Sequence, residues 1–259
     1  VWEDYKRWRR TILSLLSDLI DREVMEWVRA NPPRCFGDDN LSWIDDAISA
    51  AKRVARPDIG STLASRLKER YGFVRAFHGC RPEINASYTE HGLLPCNPAQ
   101  LAQTALRLFS NRDRVQSAID DLSKPDGQDS YQDYNRGKVF FCLEMEHLVE
   151  DCGHYMLYGS EYLLAVANRV GEPEVLRRRG RATVIECDVP IPDIPMEDVR
   201  GLAGEILREI FERFCDRSYK PETLGFAFHI SVRLAPENIV GFHFPTKILN
   251  PHNFPMRED

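Results

Sequence analysis

The first 70 positions alternate apolar and polar residues with the period of an α-helix. In "YKRWRRTILSLLSDLIDREVMEWVRANPP" the apolar positions Trp8, Ile12, Leu15, Leu16, Leu19, Val24 and Trp27 recur at helical spacing until Pro32-Pro33 stop the run. "LSWIDDAISAAKRVARPD" and "STLASRLKERYG" predict two more helices, the second capped by Ser61 or Thr62. From Phe73 the pattern changes. Enrichment in β-branched and aromatic residues predicts strands near 73–78, 138–145, 154–158, 181–190, 224–234 and 239–244. Helical periodicity predicts helices near 83–92, 98–122, 160–170 and 196–216. The polar stretch "SKPDGQDSYQDYNRG", 123–137, predicts a long loop of the functional or mobile kind. Strands and helices do not alternate in a βαβ rhythm, so the class expected is α+β. Residues 1–70 read as a helical N-terminal extension packed on a core, and 71–259 as one α+β domain.

Composition narrows the function classes. With 43% hydrophobic and 29% charged residues the 259-residue chain fits the soluble globular class. No stretch approaches the ~20 apolar residues of a membrane span, so no membrane partner is expected. A net charge of −6 excludes a generally basic nucleic-acid coat and leaves only the local knot "VLRRRGR", 175–181. The seven cysteines are odd in number and show no tight repeat, which reads as reduced thiols in a cytoplasmic protein. The opening Val1-Trp2-Glu3-Asp4 has no basic and then apolar leader pattern, which sets the same expectation. His147, Cys152 and His154 lie close together, but without a CxxC pair or a fourth ligand no metal is expected. "EMEHLVED" holds one Glu-x-x-His, where a dinuclear bundle needs two. No P-loop, GxGxxG or GxSxG pattern occurs.

Three separated segments carry candidate chemistry. In "FVRAFHGCRPEINASYTEHGLLP", 73–95, a buried strand delivers an imidazole and a glycine to its end, and a residue without a side chain lets a ligand approach the backbone. In "CGHYMLYGSEYLLAVANRVG", 152–171, a predicted strand with Tyr155 and Tyr158 leads through Gly-Ser into a helix starting near Glu161-Tyr162. In "APENIVGFHF", 235–244, Glu237 stands at the start of a strand.

Together, and in this order, His78-Gly79-Cys80, Gly92-Leu93-Leu94-Pro95, Gly153-His154-Tyr155 and Glu237-Asn238-Ile239-Val240 resemble the ADP-ribosyltransferases of the diphtheria-toxin and poly(ADP-ribose) polymerase type. The resemblance covers 73–244 and implies a core of two small packed β-sheets with flanking helices. It implies NAD+ as co-substrate, with His78 on the adenosine ribose and the Gly79 backbone on the nicotinamide carboxamide. Tyr155 would stack on nicotinamide and Glu237 would bind the 2′-hydroxyl of its ribose as the catalytic carboxylate. Arg81 is counted with the NAD+-binding residues. The family's second stacking tyrosine has no counterpart in Leu164-Ala165-Val166-Ala167, so Tyr162 or Tyr158 would take that place. Arginine-modifying members carry a Glu two residues before the catalytic one, where this chain has Ala235.

The chemistry suits these residue types on its own terms. Breaking the nicotinamide–ribose bond builds positive charge on the sugar, as in glycoside hydrolysis. A fixed carboxylate stabilises that charge more in the transition state than in the ground state. Flat aromatic faces hold a cationic ring by stacking and cation–π attraction. The activity implied is transfer of ADP-ribose to a macromolecule, RNA or DNA favoured over protein, in an intracellular toxin or phage-defence effector with a neutralising antitoxin as partner. Two rivals stand beside it: an RNA 2′-phosphotransferase of the same fold, and a non-catalytic binding module.

Overall fold

The computed structural model describes residues 5–33, 41–124, 135–216, 218–220 and 225–251. Most of the predicted 123–137 loop and Cys35 lie outside the described residues. The N-terminal helices are α1 (Tyr5–Leu15), α2 (Arg22–Ala30), α3 (Ser42–Lys52) and α4 (Ile59–Arg70), followed by strand β1 (Phe73–Cys80). Next come α5 (Ala86–His91), α6 (Pro98–Leu108), α7 (Arg112–Leu122) and β2 (Val139–Cys142). Four short helices succeed it: α8 (Met145–Glu150), α9 (His154–Tyr158), α10 (Glu161–Val170) and α11 (Pro173–Arg177). The chain closes with β3 (Thr183–Pro190), α12 (Met196–Cys215), β4 (Ala227–Ile230), a 3-10 turn at Pro236–Asn238, and β5 (Ile239–His243). The class is α+β. No helix among the described residues is long and apolar enough to cross a membrane.

The chain divides into two compact units, Val1–Val74 with Pro190–Phe226, and Arg75–Val189 with Ala227–Asp259. The segment containing α12 therefore groups with the N-terminal helices. In that first unit α12 packs along α4 and buries Leu207, Ile210 and Phe211, with Trp43 edge-on to Phe211 at 5.2 Å between ring centroids. The cap of α4 is Asp58, ahead of the predicted Ser61 or Thr62. Its extended backbone sets its carboxylate to accept from Ser61 N at 2.9 Å and Ser61 Oγ at 2.6 Å, while Ser61 already lies within the first turn.

The second unit is built on one five-stranded sheet, order β4-β2-β1-β3-β5, where two small sheets were expected. β2 runs antiparallel to β4, with Val139 opposite Ile230 and Cys142 opposite Ala227, and antiparallel to β1, with Phe77 opposite Cys142. β3 and β5 are antiparallel, with an irregularity between Glu186 and Cys187. β1 is central, which explains why an apolar run can end in polar chemistry at its tip. The predicted helix 98–122 is two helices, because Phe109 turns away and Asn111 caps a new start by accepting from Arg114 N at 3.1 Å. α6, α7 and α10 enclose a core of Phe109, Val115, Ile119, Tyr162, Val166 and Val170.

Residues 154–158 form a helix, not the predicted strand. Backbone N–H groups of Tyr155, Met156 and Leu157 bond back to Cys152 and Gly153, and Gly159, at φ 81°, ends the turn by bonding to Tyr155 O. Gly153 has ordinary helical dihedrals, and its reason is close approach: a β-carbon there would lie 1.9 Å from Leu249 O.

Candidate active site

The tip of β1 opens into a cleft of about 400 Å³ lined by His78, Gly79, Tyr155, Glu161 and Tyr162, among others. A side chamber of about 260 Å³ shares His78, Gly79, Phe140, Tyr155 and Glu161 with it. Such volumes suit a small-molecule ligand.

His78 Nδ1 lies 2.9 Å from the Phe140 carbonyl of the neighbouring strand. A carbonyl only accepts, so Nδ1 carries the proton and Nε2 keeps its lone pair. Burial pushes the imidazole pKa below its ordinary value, which keeps the ring neutral at physiological pH. A neutral ring with Nε2 as acceptor is suited to a sugar hydroxyl. Beside it, a β-carbon on Gly79 would sit 3.4 Å from Tyr155 Cβ and 3.5 Å from a Leu148 methyl. Anything larger than alanine at 79 would push Tyr155 out of place.

Tyr155 on α9 faces both cavities. Burial first, then the charge and hydrogen bond of Glu161, raise its phenol pKa, so it stays protonated and donates to Glu161. The Glu161 carboxylate, at the first position of α10, also takes His154 Nε2 at 2.9 Å. Glu161 thus braces the aromatic ring that the sequence marked as a stacker. Its signal in the sequence was weak, because an acid in the first turn of a helix reads as a dipole complement. Tyr162 is 3% exposed, lines the cleft, and its hydroxyl has no hydrogen-bond partner among the described residues. A buried unbonded hydroxyl costs about 1–3 kcal/mol, which a ligand can recover. Asn97 and Gln100, at the N-terminus of α6, and Lys138 line the same cleft and give it a positive lip.

The other expected residues lie elsewhere. Tyr158 is 8% exposed, packs in the α6–α7–α10 core, and accepts from Asn250 Nδ2 at 3.0 Å. Arg81 does not line the cleft. Its guanidinium donates to the carbonyls of Met156 at 2.9 Å, Arg179 at 2.7 Å and Arg177, tying the exit of β1 to α9 and α11. Glu237 is exposed on the 3-10 turn and is not among the residues lining the cleft, so the three-residue constellation of His78, Tyr155 and Glu237 meets there only for the first two.

Glu237 stands on the turn that leads into β5, whose first residue Ile239 lies opposite Cys187 of β3. Its turn packs against α5, whose Tyr88 lines the cleft. Gly92 explains the Gly-Leu-Leu-Pro stretch. At φ 68° and ψ −160° it ends α5, and Leu93 then exchanges two backbone hydrogen bonds of 3.0 Å with Leu234, three residues before Glu237.

Within the basic knot, Arg177 pairs with Glu174 at 3.3 Å, Arg179 pairs with Glu83, and Arg181 stacks 3.8 Å over the Phe244 ring. Three of its arginines are therefore engaged locally.

One wall of the side chamber carries thiols. Cys142 at the end of β2 and Cys152 before α9 both line it. Cys142, His147 and Cys152 place three donor atoms within 4.8 Å of one another. His154, grouped with the latter two by sequence, instead faces Glu161. The hydrogen bond from Cys142 holds the Cys152 thiol below its ordinary pKa and raises that of Cys142.

No protein-family model matches this chain, and no curated protein or solved structure is significantly similar to it.

Proposed function

We propose that the chain is an NAD+-dependent mono-ADP-ribosyltransferase that cleaves the nicotinamide–ribose bond and passes ADP-ribose to a macromolecule. The observation that supports this reading is the meeting of His78-Gly79 with Tyr155 in one cleft, although the two lie on elements far apart in the chain. In this reading Nε2 of His78 accepts a ribose hydroxyl, Tyr155 stacks on nicotinamide, and the Tyr162 hydroxyl bonds to the bound ligand. Lys138 and the α6 N-terminus face the pyrophosphate.

The catalytic carboxylate is assigned to Glu237. A group that must take ribose hydroxyls as charge develops has to be available, and Glu237 forms no hydrogen bond or ion pair among the described residues. Glu161 is already engaged by Tyr155 and His154 and acts as a positioning residue for the stacker. Glu237 lies outside the cleft lining, so this assignment places the nicotinamide ribose at the mouth beside α5.

The RNA 2′-phosphotransferase reading is weaker, because Lys138 is the single Lys or Arg among the described residues lining the cleft. Ala235 argues against protein arginine as acceptor, and nucleic acid is favoured; with three knot arginines engaged locally, that preference rests on Ala235. The test is incubation with labelled NAD+ and separate pools of RNA, DNA and protein. Label should enter one nucleic-acid pool with release of nicotinamide. Absence of both label transfer and nicotinamide release would leave the binding-module reading.

A further inference from the structure

We propose that Cys142, His147 and Cys152 bind a zinc ion in the wall of the side chamber. The three donor atoms come from three different elements, the end of β2, helix α8 and the loop before α9, yet lie within 4.8 Å of one another. Cys152 Sγ is 3.7 Å from His147 Nε2. A tetrahedral zinc with bonds of about 2.0–2.3 Å would set such donors roughly 3.4–3.8 Å apart, so little movement is needed.

A second feature points the same way. His147 Nδ1 lies 2.9 Å from Asp151 Oδ2. Nδ1–H donates to the carboxylate, which fixes the tautomer and leaves the Nε2 lone pair turned toward the sulfur. Histidines that bind zinc are oriented in this way by an outer carboxylate. Two sulfurs and one imidazole form a donor set that favours zinc over magnesium or calcium. Binding releases the thiol protons to solvent and changes no oxidation state.

Three protein ligands leave a fourth position. Cys142 and Cys152 both face the chamber shared with His78 and Tyr155, so water or another exchangeable ligand completes the tetrahedron from that side. The ion would hold the start of α9 against the end of β2, and Tyr155 follows Cys152 by three residues. Its effect is to fix the placement of Tyr155 in the cleft. The inference stands whether or not NAD+ is the substrate, because its readout is metal content.

The experiment uses the untagged full chain, purified under reducing conditions and washed with chelator. Zinc is titrated against a chromophoric chelator, and cobalt is substituted to read the coordination directly. We expect one zinc per chain, and for cobalt the thiolate charge-transfer band together with the visible bands of a four-coordinate site. Cys152→Ser should lose both. Asp151→Ala, at an exposed position, should keep the site but weaken zinc about 10- to 100-fold. Zinc retained equally by Cys152→Ser, a reduced wild type that binds none, or a Cys142–Cys152 disulfide as the only stable linked form would each overturn the proposal.

Discussion

Replacing Gly92 with alanine tests the tie between α5 and the Glu237 turn. At φ 68° and ψ −160° Gly92 occupies a region that is essentially open to glycine alone, and a side chain there costs about 1–3 kcal/mol. The new β-carbon would also lie 1.9 Å from Leu234 O, so the backbone at 234 must move. That movement breaks the paired bonds between Leu93 and Leu234, each worth about 0.5–1.5 kcal/mol. The sum is roughly 2–6 kcal/mol, a large share of the ~5–15 kcal/mol that stabilises an ordinary domain. Gly171 provides the control. It also has positive φ, 81°, but a β-carbon would meet nothing within 4 Å, so Gly171→Ala should cost only about 1 kcal/mol. Urea unfolding of both variants gives the two values. A Gly92→Ala protein within about 0.5 kcal/mol of wild type would refute the reasoning.

Tyr162→Phe should raise stability by about 1 kcal/mol, since it removes a buried unbonded hydroxyl, while weakening NAD+ binding about fivefold. Unchanged binding by calorimetry would show that the hydroxyl does not face the ligand. Glu186 bonds to His243 at 2.8 Å and pairs with Arg75; the His243 bond first, then Arg75, hold its carboxyl below the ordinary glutamate range. A depressed carboxyl contributes stability above its unfolded pKa and loses it as pH falls through the folded value. Wild type should therefore exceed Glu186→Gln by about 1 kcal/mol at neutral pH, with the gap closing below about pH 4.3. Denaturation at a series of pH values checks this, and a gap that widens in acid contradicts it.

The positions of the five strands were legible in the sequence, but their union in one sheet was not. β1 showed itself as an apolar run whose polar tip, His78-Gly79, had no place in a plain strand. In the His-Gly and Gly-Leu-Leu-Pro stretches, Gly79 lines the cleft and also permits close packing of Tyr155, and Gly92 ties two distant backbones. The 154–158 misreading has a physical source. Five aromatic and apolar residues in a row satisfy strand and buried-helix patterns equally, and the decision comes from Gly153 under Leu249 and the left-handed Gly159. The Cys142–His147–Cys152 grouping was hidden because Cys142 ends the apolar strand "VFFC", a pattern that reads as core, and only the meeting of β2 with α8 brings it to the others. Likewise the grouping of 190–226 with the N-terminal helices depends on contacts between segments distant in the chain.

The central claim is that NAD+ is split in this cleft with Glu237 supplying the charge. Its most direct measurement compares Glu237→Gln and Glu161→Gln for NAD+ affinity by calorimetry and for nicotinamide release. Glutamine at 237 keeps a hydrogen-bond acceptor but no charge, so affinity should hold while turnover falls by about 100- to 1000-fold. Glutamine at 161 loosens the Tyr155 ring, so affinity should fall while turnover at saturating NAD+ changes less. Near-normal turnover in Glu237→Gln with turnover lost in Glu161→Gln would contradict the account and move the catalytic carboxylate into the cleft.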